Sequence, residues 1–119
     1  MARLPKTYEK FREEFPELAA AYDSLGEAAH QKGPLNLKAR ELIKLGIAIG
    51  GRQEGAARSH TRRALEAGAT REEALHVVAL AVTSIGFGPT VAAYDWVCDE
   101  LDFLNPPKVL LQESGGPRP

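Results

Sequence analysis

Apolar residues recur at intervals of three and four along most of this chain. Nowhere do they alternate with polar residues as a half-buried strand requires. Tyr8, Phe11 and Phe15 give a short amphipathic helix within residues 1–15. Pro16 suits a first helical turn. Leu18, Ala21, Tyr22, Leu25 and Ala28 then carry a helix over 16–32, which Gly33-Pro34 stops. His30 falls in its last turn and is expected on the surface, where a charged imidazole meets the helix dipole favourably. Asn36 is placed to cap the next helix. There Leu37, Leu42, Ile43, Leu45, Ile47, Ala48 and Ile49 cover almost every face, the pattern of a helix buried all round.

Gly50-Gly51 predicts a tight turn, followed by a helix over residues 53–67. Its Ala56, Ala57, His60, Ala64 and Ala67 share one face, and Arg58, Arg62, Arg63 and Glu66 lie elsewhere. Gly68 ends it. Thr70-Arg71-Glu72-Glu73 matches a capping box, so another helix starts at Thr70, with Ala74, Leu75, Val78, Ala81, Val82 and Ile85 as its core stripe. Residues 86–89, Gly-Phe-Gly-Pro, are expected as a turn. A last helix over 90–104 has Ala93, Tyr94, Val97, Leu101 and Leu104 as its stripe and Asp95, Asp99, Glu100 and Asp102 as an acidic outer face. The pattern predicts an all-α domain of five or six helices over residues 1–105. Residues 106–119 follow as a tail, in which Val109-Leu110-Leu111 could dock on the body or a neighbour and the SGGPRP end is expected to be disordered.

Composition changes this picture little. The 119 residues are 44% hydrophobic and 26% charged, values of an ordinary globular domain. One core of this size is modest, so oligomerisation is a natural way to bury more surface. A formal net charge of -1 gives no case for a nucleic-acid partner, and Arg52, Arg58, Arg62 and Arg63 are interleaved with Glu54 and Glu66. The N-terminal MARLPKTYEKF lacks the apolar run of a signal peptide. No stretch has the length of a membrane span, and the cytoplasm is the expected compartment. Cys98 is the one cysteine. It allows no intrachain disulfide, no CxxC motif and no thiol-only metal site. It borders an apolar stripe and is expected as a small buried residue.

The candidate chemistry lies in Glu41 to His60, ELIKLGIAIGGRQEGAARSH. Glu41 points along a buried ridge, where a carboxylate needs a partner. Either it caps or pairs with an arginine near the helix start, or it serves the chemistry. His60 projects from a face of alanines that packs. Alone it would be a hydrogen-bonded core histidine, but a nearby carboxylate can orient an imidazole and hold one tautomer. Glu72 and His76 stand four apart without a third ligand, so a surface pair is expected and no metal site.

From Phe15 to Leu104 the chain resembles the carboxymuconolactone decarboxylase family, which includes the AhpD-like alkylhydroperoxidases. The resemblance rests on FPELAAAYDSLG, LNLKARELIKLGIAIG, the His-bearing helix and HTRRALEAGATREEALHVVALAV, in that order and spacing. It implies an all-α, AhpD-like fold, assembly as a homotrimer or homohexamer, and sites near subunit contacts. The AhpD-like pattern is Glu-x11-Cys-x2-Cys-x3-His. Glu41 and His60 fall on its Glu and His, but its two cysteine positions hold Gln53 and Ala56. Peroxide reduction by that route needs an attacking thiolate and a resolving thiol, so it is excluded here. Glu54-Gly55, Arg58 and His60 instead resemble the decarboxylase branch, as does TREE at Thr70 to Glu73.

The resemblance thus implies cofactor-free acid–base chemistry on a small organic acid or lactone. His60 would be the general acid/base, Glu41 its partner, and Arg58 or Glu54 a substrate contact. Arg58 has a second reading, an exposed arginine on a polar face. The rival to the enzyme is an oligomeric binding or scaffold protein, in which Glu41 and His60 form a closed pair with no adjacent cavity. Thiol peroxidase chemistry through Cys98 is a remote third.

Overall fold

The structure, a computed structural model, describes residues 6–104. The tail expected from residue 106 lies outside them. Among the described residues the chain forms six helices and no strand: α1 (Lys6–Glu14), α2 (Pro16–His30), α3 (Leu37–Gly50), α4 (Glu54–Glu66), α5 (Arg71–Ile85) and α6 (Phe87–Leu104). No described helix is long and apolar enough to cross a membrane.

Helices α3 to α6 enclose the core. Leu45 and Ile49 of α3 meet Ala57 of α4, Ala74 and Val78 of α5, and Ala93, Val97 and Leu101 of α6. Much of this set is alanine, so the helices approach closely. A Cβ at Gly46 of α3 would stand 3.6 Å from Val77 Cγ1, in ordinary contact. Two helix starts, those of α3 and α5, are read correctly from sequence. Asn36 accepts from the Ala39 amide at 2.9 Å. Thr70 accepts from the Glu73 amide at 3.0 Å while the Glu73 carboxylate accepts from the Thr70 amide at 2.9 Å, the reciprocal capping box. Lys38 also donates to Glu73 at 3.1 Å. That amide, followed by Lys38, holds the Glu73 carboxyl below its usual range.

Several expectations are corrected. The segment at residues 86–89 is not an independent turn. Only Gly86, at φ 93°, breaks the chain, and α6 begins at Phe87 with Pro89 inside its first turn. A proline is harmless there because first-turn amides have no partner within the helix. Helix α3 is not buried all round: Ile43 is 48% and Ile47 67% exposed. Only one side of α3 meets α4 and α5. Its other side borders an apolar groove of about 340 Å³ between Leu42 and Ile43 of α3 and Val77, Leu80 and Ile85 of α5. Val82 and Tyr94, expected in core stripes, are also exposed.

The stripe of α2 also faces outward. Leu18, Tyr22 and Leu25 are exposed, and Ala19 is the one buried residue of that helix. Helices α1 and α2 form an arm closed by Arg12 and Asp23, joined by two hydrogen bonds of 3.1 and 2.5 Å. The arm is tied to α3 at its far end, where Arg40 donates to the His30 carbonyl at 2.7 Å.

Candidate functional site

The turn between α3 and α4 sets the site. Gly50 closes α3 and Gly51 caps it. The left-handed residue is Arg52, at φ 56°, and not a glycine. The Gln53 amide then bonds back to the Ala48 carbonyl at 2.9 Å. This short connection lays α4 along α3. Buried Ala57, Thr61 and Ala64 allow the close approach, with the Thr61 hydroxyl donating to the Ala57 carbonyl at 2.8 Å.

Glu41, in the second turn of α3, meets His60, in the middle of α4, at Oε1···Nδ1 2.7 Å. The Glu41 side chain is 3% exposed and that of His60 14%. A carboxylate only accepts, so Nδ1 carries the proton. In the neutral ring Nε2 then holds the lone pair. Burial of the carboxylate without this bond would be costly, so the pair fixes both the tautomer and the ring orientation.

His60 lines a cavity of about 680 Å³. Lys44 of α3 and Arg58, Arg62 and Arg63 of α4 share its wall, with Glu100 of α6 among them. Tyr8 and Tyr22 of the arm form another side. Four cations to one carboxylate on the wall favour an anionic guest. Arg58 is held from both sides: Glu54 accepts from Nε at 3.0 Å and Asp99 from a terminal nitrogen at 2.5 Å. Burial pulls its guanidinium down, but these two carboxylates more than offset it, and the net shift is upward.

The structure therefore brings Glu41, His60 and Arg58 to one place. Arg58 is neither isolated nor on a plain polar face. Glu54 does not line the cavity. Its side chain is 52% exposed and braces Arg58 from outside. Of the two positions where the AhpD-like pattern has cysteines, Ala56 lines the cavity and Gln53 does not. Cys98 is half-buried rather than buried. Its thiol neighbours Tyr94 on the same helix and pushes that phenol's pKa up, and it is not part of the cavity wall. Glu72 and His76 are both exposed. Among the described residues no three side chains of the His, Cys, Asp and Glu types group as metal ligands would.

Two charged residues depart from their expected surface positions. Glu100 was expected on the outer face of α6, yet it is 1% exposed. Its carboxylate lies 3.8 Å from Arg58 and 3.9 Å from Arg62. Arg62, expected off the packing face, is 6% exposed. A signal for Glu100 existed: it follows Val97 by three and Ala93 by seven, on the stripe that is buried. Lys44 follows Glu41 by three, on the same face of α3.

A model of the carboxymuconolactone decarboxylase family matches residues 16–99. An apo crystal structure of a carboxymuconolactone decarboxylase family protein from Legionella pneumophila is similar, with a TM-score of 0.69 and 33% identity over 82% of this chain and 88% of that one. An uncharacterized protein of Haemophilus influenzae is 32% identical over 63 residues, which is 53% of this chain and 56% of that protein. The matched stretch thus spans little more than half the length of that curated relative.

Proposed function

The chain belongs to the carboxymuconolactone decarboxylase family, and from that premise we propose that it is a small cofactor-free enzyme doing acid–base chemistry on a small organic acid or lactone. One observation carries the reading: the Glu41–His60 pair stands at the wall of a cavity rich in cations. In this reading a substrate carboxylate is held by Arg58. When carbon dioxide leaves, the electron pair left on carbon takes a proton. His60, oriented by Glu41, moves that proton and exchanges it with solvent. Glu54 acts only by bracing Arg58. Homotrimeric or homohexameric assembly belongs to the same reading, supported by the exposed apolar faces of α2, α3 and α5.

The scaffold alternative calls for a closed pair with no adjacent cavity, and the roughly 680 Å³ beside His60 weighs against it. Peroxidase chemistry lacks support, because Gln53 and Ala56 carry no thiol and Cys98 is outside the cavity. Any peroxidase activity retained by a Cys98→Ser protein would dismiss that cysteine. The main test is turnover of small lactone carboxylates and related acids, followed by product NMR. The His60→Gln protein, folded and assembled like wild type, should lose about 100-fold in turnover. Equal turnover by both proteins would refute the reading.

A further inference from the structure

Lys44 is a cation that neither the acid–base pair nor Arg58 accounts for. It lies one turn beyond Glu41 on α3 and lines the cavity with His60. Its ammonium stands 2.7 Å from Nε2 of His30, the last residue of α2. An ammonium has only donors, so Nε2 must be the acceptor and His30 must be neutral with its proton on Nδ1. This corrects the expectation of a charged, exposed histidine at the helix end. His30 is half-buried. Burial first, then Lys44 and Arg40, pull its pKa below the usual value, with Glu41 opposing and Arg63 assisting. The His30 carbonyl accepts from Arg40 at 2.7 Å, so ring and backbone are fixed independently by the same face of α3. A long, flexible lysine is thereby given one position at the cavity wall.

We propose that Lys44 is an anion-binding residue of the His60 cavity and that neutral His30 is the positioning residue that holds it there. The proposal rests on the reading of this cavity as a ligand site, and it adds a ligand contact beyond the groups that move the proton. His30 acts through Lys44 alone and touches no ligand.

The test uses benzoate, a planar carboxylate of a size the cavity admits, titrated calorimetrically into the full-length protein at pH 8. Lys44→Met should weaken binding about tenfold, equivalent to ~1.4 kcal/mol. His30→Leu should weaken it several-fold, and His30→Gln, whose amide oxygen still accepts from the ammonium, should restore it. Nitrogen NMR of the wild-type imidazole should show His30 protonated on Nδ1 with Nε2 as acceptor, a readout available even where His30→Leu fails to fold. Binding unchanged by Lys44→Met overturns the proposal, as does an Nε2-protonated His30. Benzoate that does not bind wild type overturns the anion-site reading of the cavity and this proposal with it. Turnover lost in His60→Gln but benzoate binding indifferent to Lys44 leaves the acid–base reading standing and removes this one.

Discussion

Replacing His60 alone should destabilise the protein more than replacing His60 and Glu41 together. Glu41 is 2% exposed as a residue, and its hydrogen-bond partner among the described residues is His60 at 2.7 Å. His60→Leu leaves a buried carboxylate without its partner, which costs about 3–5 kcal/mol. Glu41→Leu leaves a nearly buried N–H unpaired, at about 1–3 kcal/mol. The double variant substitutes apolar groups for both partners, and such exchanges are close to neutral. Adding Glu41→Leu to His60→Leu should therefore recover about 3 kcal/mol. At roughly 4 °C per kcal/mol for a domain of this size, that is a rise in Tm of about 12 °C. Thermal denaturation followed by far-ultraviolet circular dichroism at pH 8 measures it. Protein concentration must be held fixed, because assembly shifts apparent stability. A double variant no more stable than His60→Leu would refute the reasoning, since the carboxylate would then have found another partner.

Thr70→Ala, remote from the cavity, removes one half of the capping box and should cost about 1 kcal/mol by the same denaturation measurement, with benzoate affinity unchanged. The depressed pKa of His30 has a definite sign: the unfolded chain binds more protons between the folded pKa and about 6.5, so stability is full above about 6.5 and falls as pH drops below it. His30→Gln should flatten that part of the stability–pH curve, whereas an identical slope in both proteins would contradict the assignment. Ile47 is 67% and Phe87 74% exposed. Light scattering should find a trimer or hexamer, which Ile47→Glu disrupts, and a monomeric wild type would dismiss the assembly. Arg58→Gln should raise KM for an anionic substrate about tenfold with little change in kcat, loss of the carboxylate contact being a binding effect.

The sequence was most informative where chemistry is local. The capping box at Thr70 and the cap at Asn36 need only neighbouring residues, and both form as expected. The Glu41–His60 contact crosses two helices. It was legible only because a short turn fixes how α4 returns along α3, and because both residues fall on a family pattern. Glu100 and Arg62 were misplaced because a charged residue is assigned to the surface until its partners are known. Here the partners sit on different helices, and Glu100 and Arg62 become acceptable in the interior beside each other. Apolar periodicity marked the faces of α2 and α3 but not what covers them. Within one chain Leu18, Leu25 and Ile47 remain exposed. The neutral His30 was missed because its charge state depends on burial at the end of α2 and on Lys44, fourteen positions away.

The proposed role of His60 is to move a proton to or from a small anionic substrate inside this cavity. Its most direct measurement is deuterium incorporation: small lactone carboxylates and related acids are incubated with the protein in deuterated water, and each carbon-bound proton is followed by NMR. Wild type should incorporate deuterium into a substrate carbon, and His60→Gln should lose about 100-fold of that rate. Incorporation at the same rate in both proteins would contradict that role.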